Sequence, residues 1–212
     1  MKKRFWKIEY SILFFIVFGI FLLLIPTSFL GSKEATYISK WNDIYLKVDY
    51  MFTAMVAQAD ENIVKSLHNT PSNDKREQLM IKLVNPYLRI NEKNEVSKRY
   101  QPHYMNGKRV LKTDEYYFDK KFISQNGIIV GIKDIQNKDV FHPGFLMMFD
   151  VNGTKSPNMW GKDIYGINIF IDGKIAPLGS GMELQDLKKD CSPQGTGISC
   201  SQYYRIGGEF SE

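Results

Sequence analysis

The hydrophobic residues of this chain follow three different spacings, and each spacing predicts a different kind of element. Residues 10–32 form a run of 23 residues without a charge, which is long enough for a helix that crosses a membrane. From residue 33 to residue 69, apolar residues recur every three or four positions among charged ones, without a proline or a glycine. This second spacing predicts that the helix continues as an amphipathic extension, for roughly 60 residues in all.

A break and a second helix are predicted next. The turn-forming sequence Asn69-Thr-Pro-Ser-Asn-Asp74 ends the long helix. Residues 74–83 then predict a short helix with Asp74 as its N-cap, and Pro86 marks the point where it ends or kinks. The stretch from residue 91 to residue 117 predicts loop, with a hairpin at Asn106-Gly107.

The third spacing is that of strands. Residues 127–132, 145–149 and 164–171 are short, β-branched and aromatic, and Asp172-Gly173 turns the chain toward a fourth strand at Lys174-Ile175. The predicted fold class is therefore α+β, with a long N-terminal helix, transmembrane and then amphipathic, packed against a small antiparallel sheet. We divide the chain into a leader and transmembrane helix (1–32), an amphipathic extension (33–69) and an extracytoplasmic α+β domain (70–212).

The charges indicate where the two ends of the chain lie. Lys2, Lys3, Arg4 and Lys7 precede the apolar run, and such a cluster holds an N-terminus in the cytoplasm. Without these four cations and Glu9, the chain has 24 basic and 22 acidic residues, a balance that gives no basic patch for nucleic acid. A secretory signal peptide is the alternative, but its apolar region is usually about 7–15 residues long, so a retained anchor is favoured.

Glu9 is the one acidic residue at the edge of the apolar run. A carboxylate at this position is costly unless something pairs with it, and it is therefore a candidate functional residue. The alternative is a charge that rests at the level of the lipid headgroups beside Lys7. The spacing alone leaves both interpretations open.

Phe5, Glu9 and Pro26 together carry a resemblance to a known family. Counted from Phe5 as position one, Glu9 is position five and Pro26 is position twenty-two of a continuous apolar helix that follows a short basic leader. This register resembles the N-terminal segment of type IV pilins and of type II secretion pseudopilins. In that family a glycine precedes the phenylalanine and marks the cleavage site of the prepilin peptidase, whereas Arg4 stands there in this chain.

The resemblance implies a structural subunit and no enzymatic activity. It implies a pilin-like fold, a single-pass bacterial inner-membrane protein with a periplasmic or extracellular C-terminal domain, and a role in a type II secretion system or type IV pilus. Its partners would be the lipid bilayer, other pilin-like subunits and the assembly machinery, and Glu9 would pair with the N-terminal amine of an adjacent subunit. The alternative is a membrane-tethered extracytoplasmic binding or sensor domain that does not polymerise. Catalytic and phosphate-binding sequence motifs are missing, which agrees with a protein that is not an enzyme.

Two cysteines, Cys191 and Cys200, enclose a loop rich in glycine, serine and proline. In an exported domain such a pair predicts one disulfide that closes a short loop. A metal site would need more ligands than these two supply, and the three histidines share no metal-ligand spacing with them.

The stretch that begins at Asp150 places oxygen-bearing side chains at alternate positions, as calcium loops do. The candidate ligands are Asp150, Asn152, Thr154, Asn158 and Asp163, together with Ser156. Lys155 and Gly161 occupy the sixth and twelfth positions, where an EF-hand has glycine and an acid. The alternative is a hairpin loop in which Asp150 and Asn152 cap their own backbone. The resemblance makes calcium relevant, because some pseudopilins carry it near this part of the fold, and no other cofactor is expected.

Overall fold

The computed structural model describes residues 2–58, 67, 69–70, 72–97, 99–135 and 142–210; within them, the side chains of residues 2–9, 21–32, 73 and 92–95 are not described. The chain divides into two compact units, Met1–Thr36 and Tyr37–Glu212. Helix α1 runs from Lys2 to Gln58 and contributes to both units. The predicted extension of this helix to residue 69 falls mainly on residues 59–66, which lie outside the described ones.

In the described residues of the second unit, α1 is followed by three further helices and six strands. Helix α2 spans Asn73–Leu88, α3 spans Leu184–Asp190, and the short α4 spans Cys200–Tyr203, which a 3₁₀ turn at Tyr204–Ile206 extends. The strands are β1 (Ile90–Glu95), β2 (Lys121–Ser124), β3 (Ile129–Asp134), β4 (Pro143–Asp150), β5 (Ile164–Phe170) and β6 (Ile175–Pro177). The fold class is α+β, as the sequence predicts.

The six strands form one antiparallel sheet in the order β1-β2-β3-β4-β5-β6, which is a meander. The four strands predicted from the apolar runs correspond to β3, β4, β5 and β6. Strands β1 and β2 were missed, because both lie in stretches that carry a weak strand pattern. The β1 sequence, INEKNE, has one apolar residue, so it lacks the alternation that indicates a half-buried strand.

Strand β4 is buried on both faces, because apolar layers cover the sheet on either side. Phe145, Met147 and Phe149 point to the layer that contains α1 and α2. Leu146 and Met148 point to a second layer, built from the loop of residues 99–120 and from the C-terminal segments. A strand covered on both sides needs a continuous apolar sequence, and PGFLMMFD is such a sequence.

The part of α1 in the second unit buries one face. Trp41, Ile44, Val48, Met51, Phe52 and Met55, which recur every three or four residues, are the buried residues of this face. Trp41 is fully buried, stacks on Tyr165 of β5 with ring centroids 5.1 Å apart, and donates a hydrogen bond from Nε1 to the carbonyl of Ser201 at 2.9 Å. The helix is thereby joined to the sheet and to the C-terminal segment at one residue.

Helix α2 differs from its predicted form at both ends. Its first helical residue is Asn73, with Ser72 in the N-cap position, and the helix passes through Pro86 to end at Leu88. Pro86 donates no backbone hydrogen bond and its ring crowds the preceding turn, and the helix ends two residues after it. The helix is also anchored by Arg76, which is buried and lies 2.6 Å from Asp134 of β3, with a second bond to the carbonyl of Thr70 at 2.8 Å.

We predict that Trp41→Ala destabilises the protein by about 3–5 kcal/mol, because it leaves a large cavity and removes the hydrogen bond to Ser201. The free energy of unfolding, measured by denaturant titration of the full chain in detergent, checks this value. Tyr50→Ala is the matched control on the same helix, since Tyr50 is 73% exposed. We expect this control to change the free energy by no more than about 0.5 kcal/mol, and equal losses in both variants would contradict the prediction.

Candidate functional site

Two buried carboxyl groups form the centre of the candidate site. Asp150 is the last residue of β4 and Asp163 immediately precedes β5. The pairing of these two strands therefore brings the two residues together at one end of the strands. The chain between them, residues 151–163, is called here the β4–β5 loop. The relative exposure of both aspartates is 0%. Burial of two acids in one place costs free energy, so the stability of the site depends on the hydrogen bonds that the two carboxyl groups make.

Asp150 accepts hydrogen bonds from two parts of the chain. The hydroxyl of Tyr100 donates to Oδ2 at 2.7 Å, and the backbone N–H of Asn152 donates to Oδ1 at 3.2 Å. Burial, and then the charge of Asp163, raise the pKa of Asp150 to about 8. Burial raises the pKa of Tyr100, and the neighbouring Asp150 raises it further. Tyr100 therefore stays a hydrogen-bond donor at neutral pH.

Asp163 closes the β4–β5 loop. Its Oδ2 accepts from the backbone N–H of Asn158 at 2.9 Å and its Oδ1 from that of Met159 at 2.6 Å. These bonds hold Asn158 in the left-handed region with φ +50°, a conformation that asparagine tolerates better than most residues. Burial raises the pKa of Asp163 to about 6, and the backbone hydrogen bonds oppose this shift.

The side chain of Asn158 lies where oxygen atoms of the loop converge. With its amide nitrogen turned toward them, Asn158 donates to Asp150 Oδ2 at 3.1 Å, to the carbonyl of Gly153 at 3.1 Å and to that of Lys155 at 2.9 Å. With the oxygen turned the same way, four oxygen atoms would face one another, an arrangement that a cation could stabilise. The donating orientation satisfies these groups within the protein itself.

Asn152 connects the loop to helix α1. Its Nδ2 donates to the hydroxyl of Tyr37 at 3.2 Å and to the carbonyl of Ser156 at 3.3 Å. Its Oδ1 is buried and has no hydrogen-bond partner among the described residues. Lys40 of the same helix lies 3.4 Å from the carbonyl of Val151. The β4–β5 loop is therefore held from the helix as well as from the sheet.

Of the candidate calcium ligands, four are brought together and two are not. Asp150, Asn152, Asn158 and Asp163 lie around the two carboxyl groups, whereas Thr154 is exposed, as is Ser156. Within the part of the chain that the structure describes, no three His, Cys, Asp or Glu residues cluster as a metal site. The bond from Asn152 N–H to Asp150 matches the hairpin-loop alternative, in which Asp150 caps its own backbone. The geometry favours that alternative, and calcium binding stays a prediction.

The predicted disulfide between Cys191 and Cys200 is present. A carboxylate that the sequence analysis did not single out organises the loop between them. Asp190 accepts from the N–H and the hydroxyl of Thr196 at 2.8 and 2.6 Å, and from the N–H and the hydroxyl of Ser199 at 2.9 and 2.8 Å. These bonds lower the pKa of Asp190 against the effect of burial. In the sequence, the threonine and serine between the two cysteines were the signal that could have indicated a carboxylate that accepts their hydrogen bonds.

The disulfide loop packs against the end of the β4–β5 loop. A Cβ added to Gly197, which has φ +78°, would lie 2.3 Å from the carbonyl oxygen of Trp160, and one added to Gly161 would lie 2.6 Å from the sulfur of Cys200. Glycine is needed at both positions because two backbones approach closely there. Gly197 is thus a packing residue, and the two loops form one structural unit.

The residues that carry the resemblance lie elsewhere. Phe5, Glu9 and Pro26 belong to α1, and their side chains lie outside those that the structure describes. In the first unit, Phe14 and Phe18 stack with centroids 5.9 Å apart. A search of the described residues finds no helix with the length and apolar character needed to cross a membrane. Residues 21–32, which belong to the predicted span, have side chains outside the described set.

Comparison of the chain with protein-family models, with curated proteins and with solved structures finds no match.

We predict that the stability of the fold decreases as the pH rises from about 4 to about 8. Asp150 and Asp163 have pKa values in the fold, about 8 and about 6, above their usual value of 3.8. Each therefore stabilises the fold in its protonated form, fully so below the unfolded pKa, and that contribution is lost as the pH rises through the folded pKa. Asp150 alone gives a slope of about 1.4 kcal/mol per pH unit between its two pKa values.

Unfolding free energies of the full chain, measured by denaturant titration between pH 4 and 8, check this slope. We expect Asp150→Asn to flatten it, because the amide does not titrate. Asp43→Asn, at an exposed position of α1, is the control and should leave the slope unchanged. A wild-type stability that rises over this range would contradict the prediction.

We expect calcium to leave the melting temperature unchanged, because the amide nitrogen of Asn158 already satisfies the converging oxygen atoms. The measurement compares the full chain in millimolar calcium chloride, in magnesium chloride and in a chelator. A rise in melting temperature that calcium alone produces, and that Asp150→Asn removes, would instead establish the cation site predicted from the loop.

Proposed function

We propose that this protein is a pilin-like, pseudopilin-type structural subunit of a type II secretion or type IV pilus-type assembly, anchored in the bacterial inner membrane. One observation carries the proposal. The amphipathic part of a long N-terminal helix is buried along one face by an antiparallel sheet, as the pilin-like resemblance implies. In this proposal residues 10–32 cross the bilayer, the basic leader is cytoplasmic and the second unit is extracytoplasmic.

The other face of the same helix supports a role in assembly. Leu46, Tyr50 and Val56 are large apolar residues that are 55%, 73% and 39% exposed. Single exposed apolar residues are common, but three on one helix offer a surface that a neighbouring subunit could cover. The proposal assigns this surface to contacts between the helices of adjacent subunits.

The role of Glu9 follows from the resemblance. A carboxylate in the membrane is stabilised by a positive partner, and the N-terminal amine of an adjacent subunit supplies one in this family. Such a buried pair would fix the axial register between subunits, because removal of either charge leaves the other unpaired.

Arg4 favours the alternative, in which the chain is a membrane-tethered binding or sensor domain that does not polymerise. An uncleaved leader would keep the N-terminal amine four residues away from Phe5. The intact mass of the protein from its native membrane separates the two functions. A chain that begins at Phe5 supports the subunit, and a chain that begins at Met1 supports the tethered domain.

We predict that Glu9→Leu abolishes incorporation into assemblies and leaves membrane insertion intact, because it removes the charge that sets the register and adds apolar surface. Chemical cross-linking in native membranes measures the assembly, and extraction with carbonate measures the insertion. Glu34→Leu is the matched control, since Glu34 is an acid of the same helix beyond the predicted span. Normal cross-linking of the Glu9→Leu variant would contradict the role of Glu9.

A further inference from the structure

A cleft of about 560 Å³ opens beside the end of β1 and the beginning of β2. Its walls come from residues 96–97, 100–102 and 110–112, and from Tyr117, Asp119 and Lys121. Sites for small molecules usually measure about 300–1,000 Å³, so the volume suits such a ligand. Tyr100 forms part of the wall, and its hydroxyl reaches Asp150 behind it.

The walls of this cleft are held by backbone hydrogen bonds. The N–H of Val96 donates to the carbonyl of Lys121 at 3.1 Å, and the N–H of Val110 donates to that of Pro102 at 3.1 Å. The bond from Tyr100 to Asp150, at 2.7 Å, fixes the remaining side. A preformed cleft loses little conformational entropy when a ligand binds, which favours binding.

Lys121 is the charged group of the cleft that is best placed to select a ligand. Its ammonium group donates to the carbonyl of Phe118 and lies 5.1 Å from the centroid of the Tyr117 ring. Partial burial lowers the pKa of Lys121. In the described part of the chain no acidic side chain lies within salt-bridge distance of it. An ammonium has three N–H donors, so two remain for an anion after the bond to Phe118.

The rest of the lining indicates what else the ligand carries. Lys112 adds a second positive charge at an exposed edge, and Asp119 is the one acidic residue of the lining. Val96, Pro102 and Val110 give the cleft an apolar wall, and Leu111 beside them is 58% exposed. A ligand that contacts both parts needs one negative charge and an apolar body.

We infer that this cleft binds a small organic carboxylate with an apolar body, its carboxylate on Lys121 and its body against the wall that includes Leu111. The site is independent of the assembly function proposed above, since its lining includes no residue of α1. A carboxylate satisfies the remaining N–H donors of the half-buried ammonium group, and the apolar wall is removed from water when the body covers it.

N-acetylphenylalanine is the probe, and its amide, N-acetylphenylalaninamide, is the uncharged match. Binding to the full chain in lipid nanodiscs is followed by ligand-observed NMR titration. We expect saturable binding of the acid with a Kd of about 1 mM or tighter, and binding of the amide at least about tenfold weaker. Equal affinity for the acid and the amide, or no saturable binding of the acid, would overturn the inference.

Variants locate the bound acid. Lys121→Met keeps an apolar stem without the charge, and we expect it to weaken binding of the acid by about tenfold or more. Lys108→Met, at an exposed position outside the lining, should leave the affinity unchanged. Leu111→Glu is a second test that does not depend on Lys121, because it adds a negative charge and removes apolar surface at an exposed position. It should weaken binding of the acid more than it weakens binding of the amide. Unchanged affinity in Lys121→Met and in Leu111→Glu, with folding verified by circular dichroism, would refute the site.

Discussion

The contact between Trp41 and Ser201 is the interaction on which the rest of the second unit depends. The indole N–H donates to the backbone of a residue 160 positions away, while its ring stacks on Tyr165. The hydroxyl of Ser201 in turn accepts a bond from the N–H of Gly166 at 2.9 Å. One serine therefore ties the helix, the middle of β5 and the C-terminal segment together. Because all of these groups are buried, loss of any one would leave another without its partner.

The packing of the helix and the C-terminal segment on the sheet also explains how two acids can be buried in the β4–β5 loop. The C-terminal segment and the disulfide loop pack against the end of the β4–β5 loop. Helix α1 contacts the same loop through Tyr37 and Lys40. With water excluded, Asp150 and Asp163 must obtain their partners from the protein, and backbone N–H groups, Tyr100 and Asn158 supply them. Tyr100 also forms a wall of the cleft, so the shape of the cleft depends on the same buried pair.

Elements with a strong apolar pattern could be predicted from the sequence, and those held by distant polar contacts could not. The apolar runs located β3 to β6 because their buried side chains come from continuous or alternating hydrophobic sequences. Strand β1 has no such run, and its place depends on pairing with β2, which starts 26 residues after β1 ends. In the site, the spacing of Asp150, Asn152 and Asp163 was visible. Tyr100 was not, because nothing in its local sequence indicates a bond to a residue 50 positions away.

The orientation of the Asn158 side-chain amide distinguishes a β4–β5 loop that binds a cation from one that satisfies its own oxygen atoms by hydrogen bonds. Three oxygen atoms, one from Asp150 and two from backbone carbonyls, converge on the side chain of Asn158. A convergence of this kind needs a positive charge or an N–H donor, and asparagine provides the donor without the cost of desolvating an ion. Burial raises the pKa of both acids, and the charge of Asp163 adds to the shift at Asp150. In this geometry the raised pKa of Asp150 links the stability of the loop to pH.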